Sequence, residues 1–270
     1  MIDGSLGEKI GEGVTADVHV WAPGQVVKLF RADVPRRVPR WEARMTQAVF
    51  AAGGPAPEVL DMVEVEGRLG FVLPRLEGPT LKACLWSGAI TAEEGGSVLA
   101  ELALSVHRTS APSMVLPMRD YMEFSLELSD ARIPDFIAQG VLALIDRVPP
   151  DDRLSHCDLH AGNVIMAPDG PRIIDWSGVK RGGAALDLAC CHFLWTELDH
   201  ESLGDPELRR ALNAAVQSEY APRAGMSAEA LQAAVQAHLP IVRVFFLLGG
   251  LARPATRERL LKLCEADLRS

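Results

Sequence analysis

The sequence predicts an α+β protein in which a small antiparallel sheet precedes a larger, mostly helical part. Residues 7–30 alternate polar and apolar side chains between tight turns, a pattern typical of paired strands. Two more strands are expected at 57–65 and 68–73, and helical patterns dominate from Thr80 onward. We therefore expect two lobes in this 270-residue chain, with the sheet in residues 1–76 and the helices in residues 77–270.

Composition argues against several classes of protein. Hydrophobic residues make up 48% of the chain, and the net charge of −9, carried mostly by residues 79–270, does not suit nucleic-acid binding. The five cysteines include no C-x-x-C pair and indicate reduced thiols in a cytoplasmic protein. We see no N-terminal signal pattern, and the most apolar stretch, 241–252, is too short to span a bilayer. No membrane or nucleic-acid partner is expected.

Two glycines, Gly11 and Gly13, lie between the first two predicted strands. A dinucleotide-binding turn would need a helix after the glycines, but a strand with period-two alternation follows them. This order favours a flap that folds over phosphate groups. An ordinary hairpin turn with two glycines is the competing interpretation.

A single lysine, Lys28, interrupts the apolar strand at residues 26–30. A buried lysine is costly unless an anionic group accompanies it. Lys28 is therefore either a binding residue for an anion or an edge-strand lysine that faces water.

Helices are expected over most of the second part. Thr91 and Glu94 form the sequence pattern of a capping box, and the helix that they start should run towards His107. Further helices are predicted at about 136–148, 187–199, 205–221, 227–248 and 254–268, while residues 113–135 are left unassigned. We expect His107 to complement the dipole of its helix and not to act in catalysis.

The stretch with the clearest chemistry begins at Leu154. It contains Asp158, then Asn163 five positions later, then Asp175 at the end of an apolar strand that follows a Pro-Asp-Gly turn. The two apolar runs around that turn predict a hairpin, which would bring Asn163 and Asp175 together. Phosphoryl transfer uses such a set, because one Asp orients the attacking hydroxyl while an Asn and a second Asp hold magnesium.

This pattern resembles the aminoglycoside phosphotransferase family, a group of small-molecule kinases with a protein-kinase-like fold. The family run reads roughly H-G-D-L-H-x-G-N, followed by I-D-W, and residues 156–163 and 174–176 match it except for Cys157, where glycine is usual. A second departure is Arg181-Gly182-Gly183-Ala184, which stands where the family has G-D-P. The resemblance extends over most of the chain.

The resemblance implies a nucleotide-dependent O-phosphotransferase with ATP or GTP and Mg²⁺. Asp158 would be the catalytic residue, and Asn163 and Asp175 would bind the metal. Lys28, held by Glu42, would contact the phosphates, and the backbone of Pro74 and Leu76 would meet the base at the hinge between the lobes. The implied nucleotide-binding residues are Gly11, Gly13, Lys28, Glu42, Pro74 and Leu76.

The acceptor is expected to be a small hydroxylated molecule, with an antibiotic, an amino alcohol or a sugar all open. The acidic second part favours a cationic or neutral acceptor over an anionic one. His156 is expected to fix the loop backbone, and Asp187 to brace that loop structurally. Two alternatives remain: a catalytically silent kinase-like binding module, and a metal site made by His156, Asp158 and His160.

Overall fold

The first part of the protein is an antiparallel sheet. A computed structural model describes residues 6–129, 132–198, 205–249 and 253–269. The sheet has five strands in the order β1-β2-β3-β5-β4. They are β1 (Lys9–Glu12), β2 (Ala16–Ala22), β3 (Gln25–Phe30), β4 (Asp61–Val65) and β5 (Arg68–Pro74), and helix α1 (Arg37–Ala51) connects β3 to β4.

The fourth strand is shorter than the sequence predicted. It begins at Asp61 and not at Pro57. The reason is local, because the backbone N–H of Val59 donates to the side chain of Gln47 in α1 at 2.9 Å. Pairing with β5 therefore starts only at Leu60, whose N–H donates to the carbonyl of Val72.

The remainder is mostly helical, which confirms the predicted fold class. Its helices are α2 (Leu81–Trp86), α3 (Ala92–Arg108), α4 (Met118–Leu128), α5 (Asp135–Arg147), α6 (Gly183–His192), α7 (Pro206–Arg223), α8 (Ala228–Leu248) and α9 (Pro254–Arg269). Two small antiparallel pairs lie among them, β6 (Leu154–Ser155) with β9 (Lys180–Arg181) and β7 (Val164–Ala167) with β8 (Gly170–Ile173). The helix α4 occupies part of the stretch that sequence patterns left unassigned.

The capping box at the start of α3 is present as predicted. The Thr91 hydroxyl accepts from the Glu94 N–H, and the Glu94 carboxylate accepts from the Thr91 N–H. Gly96, in the second turn of α3, allows a close helix contact, since a Cβ there would lie 2.4 Å from the Cβ of Ala215 in α7. The glycine therefore lets α3 and α7 pack closely.

The helix predicted at 187–199 starts earlier, at Gly183, where a positive φ of 72° turns the chain into α6. A π-helical turn, Phe193–Glu197, continues it. The predicted end at residue 199 lies outside the described residues.

Helix α8 is long and apolar enough to cross a membrane by length and composition alone. However, 56% of its most apolar window is buried inside the protein, as in a core helix. Its buried Arg243 pairs with Glu197 at 2.7 Å and also with Asp267. The helix is thus weak evidence for a membrane span.

Candidate active site

A loop between β6 and β7 brings Asp158 and Asn163 into contact. The side-chain amide of Asn163 donates to the Asp158 carboxylate at 3.1 Å and to the Asp158 carbonyl at 3.0 Å. This loop, residues 156–163, is named the catalytic loop for the role that the sequence predicts for Asp158, and it ends in a 3-10 turn that leads directly into β7. Because the amide nitrogen is used on Asp158, the amide oxygen of Asn163 is the atom left for a cation.

The β7–β8 hairpin sets Asp175 beside this loop. Val164 pairs with Ile173 at its open end, and the N–H of Ile174 donates to the carbonyl of Asn163 at 2.9 Å. Asp175 then adopts a left-handed φ of 62°, which is uncommon for a non-glycine residue. The structure therefore has the predicted hairpin, and its open end joins Asn163 to Ile174, the residue before Asp175.

Lys28 reaches from the sheet to the hairpin. Its ammonium group donates to Glu42 at 2.6 Å and to Asp175 at 3.1 Å. Burial opposes its charge, but Asp175 and Glu42 outweigh that cost and raise the pKa of Lys28. Lys28 is therefore a buried, paired lysine, and the interpretation as a water-facing edge residue is wrong.

Three carboxylates of the site, those of Asp158, Glu42 and Asp175, affect one another electrostatically. Desolvation, followed by the negative charge of Asp175, raises the pKa of Asp158 to about 7. The same two causes raise the pKa of Glu42 to about 7, although the positive charge of Lys28 lowers it in part. Burial also opposes ionisation of Asp175, yet Lys28 and the Ser177 hydroxyl outweigh it and lower its pKa. Such an excess of negative charge suits a divalent cation.

The donor set fits magnesium. Carboxylates and an amide oxygen are hard oxygen ligands, and Mg²⁺ is usually bound by one or two carboxylates together with substrate phosphates. Asp175 and Asn163 carry these atoms at the open end of the same hairpin, and the Asp158 carboxylate accepts from the Asn163 amide. We accordingly treat Asn163 and Asp175 as the residues that could hold the ion.

The flap and Lys28 share one row of the sheet. Gly11 pairs with Val18 across β1 and β2, and Val18 pairs with Lys28 across β2 and β3. Neighbouring strands lie about 5 Å apart, so Gly11 is roughly two strand spacings from Lys28. Gly13 closes the turn with a bond from its N–H to the Ala16 carbonyl at 2.8 Å.

The hinge residues lie at the end of β5. Pro74 is the last residue of that strand and pairs with Gln25, while Leu76 follows outside it. The chain then meets β7, because the N–H of Met166 donates to the carbonyl of Pro79 at 2.8 Å. The β3–β5 pairing sets Phe71, three residues before Pro74, opposite Lys28.

Asp187 braces the catalytic loop from behind. Its carboxylate accepts from the backbone N–H groups of His156 at 3.0 Å and Cys157 at 2.7 Å. It also lies 3.0 Å from His107, whose other ring nitrogen is 2.8 Å from the Tyr220 hydroxyl. Asp187 thus has the structural role expected of it, although it lies in the second turn of α6 and not at its start.

His107 does more than complement a helix dipole. It is buried between Asp187 and Tyr220, and so ties α3 to α6 and α7. Sequence patterns gave no sign of Tyr220, which is 113 residues away from its partner.

The two histidines of the loop bind backbone atoms. His156 lies 3.2 Å from the Ile174 carbonyl and accepts from the Asp158 N–H, as expected for a residue that fixes the loop. His160 accepts from the Gly162 N–H at 3.0 Å, and burial, with His156, lowers its pKa to about 4. No group of three His, Cys, Asp or Glu suited to a metal occurs in the part of the chain that the structure describes. The alternative of a histidine metal site is therefore not supported.

The structure shows the backbone conformation at both departures from the family pattern. Cys157 is buried at a left-handed φ of 63°, a conformation that glycine adopts freely. At Gly183, a Cβ would lie 2.0 Å from the Asp151 carboxylate. The carboxylate of Asp151 thus occupies the space that a side chain at position 183 would need.

A two-lobed kinase-like fold with a lysine, an Asn–Asp pair and a braced Asp-bearing loop defines a class of phosphoryl-transfer protein. Comparison of sequences supports this class, because the sequence model of the phosphotransferase enzyme family (APH) matches residues 7–231. The chain belongs to this family, and the prediction of a small-molecule phosphotransferase is confirmed. None of the curated proteins compared with the chain matches it.

Solved structures share the fold. A thermostable mutant of aminoglycoside phosphotransferase APH(4)-Ia, in a ternary complex with AMP-PNP and hygromycin B, is 19% identical with a TM-score of 0.64, over 99% of this chain and 95% of that one. A choline/ethanolamine kinase family protein from Mesorhizobium loti is 18% identical with a TM-score of 0.62, over 99% and 89%. ADP-bound APH(2'')-Ib is 15% identical with a TM-score of 0.57, over 96% and 91%.

Proposed function

We propose that this protein is a nucleotide-dependent O-phosphotransferase that phosphorylates a hydroxyl group of a small molecule with ATP or GTP. The observation that carries the proposal is the continuous contact from Glu42 through Lys28 to Asp175, beside the bonded pair Asp158 and Asn163. These groups come from separate parts of the chain and meet where the sheet faces the β7–β8 hairpin and its loop.

Asp158 would accept the proton of the acceptor hydroxyl while that oxygen attacks the terminal phosphorus of the nucleotide. Its raised pKa, about 7, makes it a better proton acceptor than an ordinary aspartate. Asn163 keeps the carboxylate oriented through its amide bond. The phosphoryl group moves to the acceptor oxygen, and the nucleoside diphosphate leaves.

Lys28 would contact the nucleotide phosphates, with Glu42 keeping its ammonium group in place. Asn163 and Asp175 would hold Mg²⁺, which when bound neutralises charge on the phosphate oxygens. The Gly11–Gly13 flap lies along the same sheet row as Lys28 and would cover the phosphates. The backbone at Pro74 and Leu76 would meet the nucleotide base.

The acceptor class is proposed from chemistry and relatives together. Structural neighbours include an aminoglycoside kinase with bound hygromycin B and a choline/ethanolamine kinase family protein, whose names point to hydroxylated amines. The net negative charge of residues 79–270 likewise favours a cationic or neutral acceptor. We therefore place aminoglycosides, other hydroxylated antibiotics and amino alcohols ahead of acidic sugars. Five free cysteines support a reducing, cytoplasmic location.

A coupled assay of nucleoside diphosphate release across hydroxylated antibiotics, amino alcohols and sugars tests the proposal. We expect at least one acceptor to raise the rate well above acceptor-independent hydrolysis in the parent, and none to do so in Asp158→Asn. An equal response in both proteins would show that Asp158 has no part in the transfer. A parent that binds nucleotide but transfers to no acceptor would favour the silent binding module.

A further inference from the structure

Lys180, in β9, is a buried lysine that is not among the residues proposed to contact the nucleotide phosphates. It is only 4% exposed and follows Asp175 by five positions. Its ammonium group donates to the carbonyls of Gly178 at 2.9 Å and Val179 at 3.3 Å. The side chain therefore folds back on the segment that starts at Asp175.

The surroundings of this ammonium group are unusual. Within the described ranges, no carboxylate oxygen lies within ion-pairing distance of it. It sits 4.1 Å from the ring centre of Tyr121 in α4 and 5.4 Å from that of Phe245 in α8. Aromatic faces and carbonyl dipoles thus stabilise the charge. Burial lowers the pKa of Lys180, because a charged ammonium group in this dry environment costs free energy.

The segment that Lys180 holds lies against the catalytic loop. A Cβ at Gly178 would be 3.2 Å from the His156 carbonyl and 3.9 Å from the Cβ of Asp158. Lys180 itself pairs with Ser155, the residue that leads into the catalytic loop. One end of the segment carries Asp175, and the other is tied through Lys180 to α4 and α8.

We propose that Lys180 is a positioning residue that holds the segment from Asp175 to Lys180 against the catalytic loop, and so keeps Asp158 and Asp175 in register for transfer. The catalytic part of this inference rests on the proposed function, whereas the contacts of Lys180 do not. A misplacement of about 1 Å at such a site can lower the rate on the order of 100-fold. If Lys180 served only to stabilise the fold, its removal would mainly lower the stability of the protein.

The test uses Lys180→Met, which keeps the stem of the side chain and removes its charge and donors. The matched control is Lys262→Met, since Lys262 is an exposed lysine of α9 that pairs with Glu258. Amide hydrogen exchange is followed by mass spectrometry in peptides that cover 155–163 and 174–181. Melting temperature, and turnover with the best acceptor or with water, are measured on the same samples.

We expect Lys180→Met to melt within a few degrees of the parent, to exchange at least tenfold faster in both peptides, and to lose about 10- to 100-fold in turnover. Lys262→Met should match the parent in every measurement. Unchanged exchange in the two peptides, or a loss of the folded state, would overturn the positioning role. An inactive parent whose variant shows the faster exchange would instead count against the proposed function and leave the Lys180 contact standing.

Discussion

The candidate site has two halves that are built differently. The phosphate half is the part proposed to bind the nucleotide phosphates. Lys28 and Glu42 pair within the first lobe, and the charged hydrogen bond from Lys28 to Asp175 joins that lobe to the second. The hydroxyl half is Asp158, the residue proposed to act on the acceptor hydroxyl. Its carboxylate accepts from the amide of Asn163 five residues later in the same loop, and Asp187 backs that loop. The difference indicates that the phosphate half depends on how the lobes meet, whereas the hydroxyl half is fixed within the helical lobe.

The largest effect should come from the hydroxyl half. Asp158→Asn keeps the shape of the side chain but cannot accept the hydroxyl proton. A general base contributes on the order of 100- to 10,000-fold, and we expect turnover to fall by that factor. Steady-state rates with the best acceptor check this, and rates within about threefold of the parent would show that the base is elsewhere.

Removal of Asp175, the carboxylate proposed to bind the metal, should give the next largest effect. Asp175→Ala leaves nucleotide phosphates facing Glu42 and Asp158 with less counter-charge. We expect the magnesium dependence of AMP-PNP binding to disappear in this variant. Calorimetry with and without Mg²⁺ measures it, and a retained magnesium dependence would place the ion away from Asp175.

Lys28→Met should weaken nucleotide binding by about 10- to 100-fold, since hydrogen bonds to charged groups contribute about 1.5–3 kcal/mol. It also leaves Glu42 buried without its cation. The folded-state pKa of Glu42, already about 7, lies above its ordinary value of 4.5, so the variant should lose stability as pH rises from below 5 through 7.

Thermal melts between pH 5 and 8 check this sign. The loss in the free energy of unfolding is on the order of 3 kcal/mol or more, because the pKa of Glu42 is about 7 even with Lys28 present and its ordinary value is 4.5. The control is the double variant Lys28→Met with Glu42→Gln, which has no carboxyl to titrate and should show a flatter profile. A profile equally steep in both variants would mean that another group causes the loss.

The smallest effect should come from the far end of the brace. Tyr220→Phe removes one hydroxyl contact with His107, while Asp187 keeps its bonds to the loop. We expect a loss of about 1 kcal/mol in the free energy of unfolding and turnover within twofold of the parent. Urea denaturation and steady-state kinetics test both parts. A large fall in turnover would mean that the contact between Tyr220 and His107 also supports the position of the catalytic loop, beyond the bonds of Asp187.

The sequence predicted best what is encoded by short spacing. Asp158, Asn163 and Asp175 lie within one loop and one hairpin, so their spacing alone implies that they meet. The partnership of Glu42 with Lys28 is predicted only through the family resemblance, and the structure sets the Glu42 carboxylate 2.6 Å from the Lys28 ammonium group. The roles of these residues, and of the hinge residues Pro74 and Leu76, stay predictions.

Long-range packing accounts for what sequence patterns missed. Tyr220 reaches His107 because α7 packs against α3. The rings around Lys180 come from α4 and α8, far from it in sequence. The Asp151 carboxylate above Gly183 likewise depends on how the lead-in to β6 meets the start of α6. No local periodicity reports such contacts.

One calorimetric comparison tests the two-half account most directly. Mg·AMP-PNP is titrated into the parent, Asp158→Asn and Lys28→Met under identical conditions. The account predicts that the dissociation constant of Asp158→Asn stays within about twofold of the parent, while that of Lys28→Met rises at least tenfold. Equal weakening in both variants, or the reverse order, would contradict the division of the site into a phosphate half and a hydroxyl half.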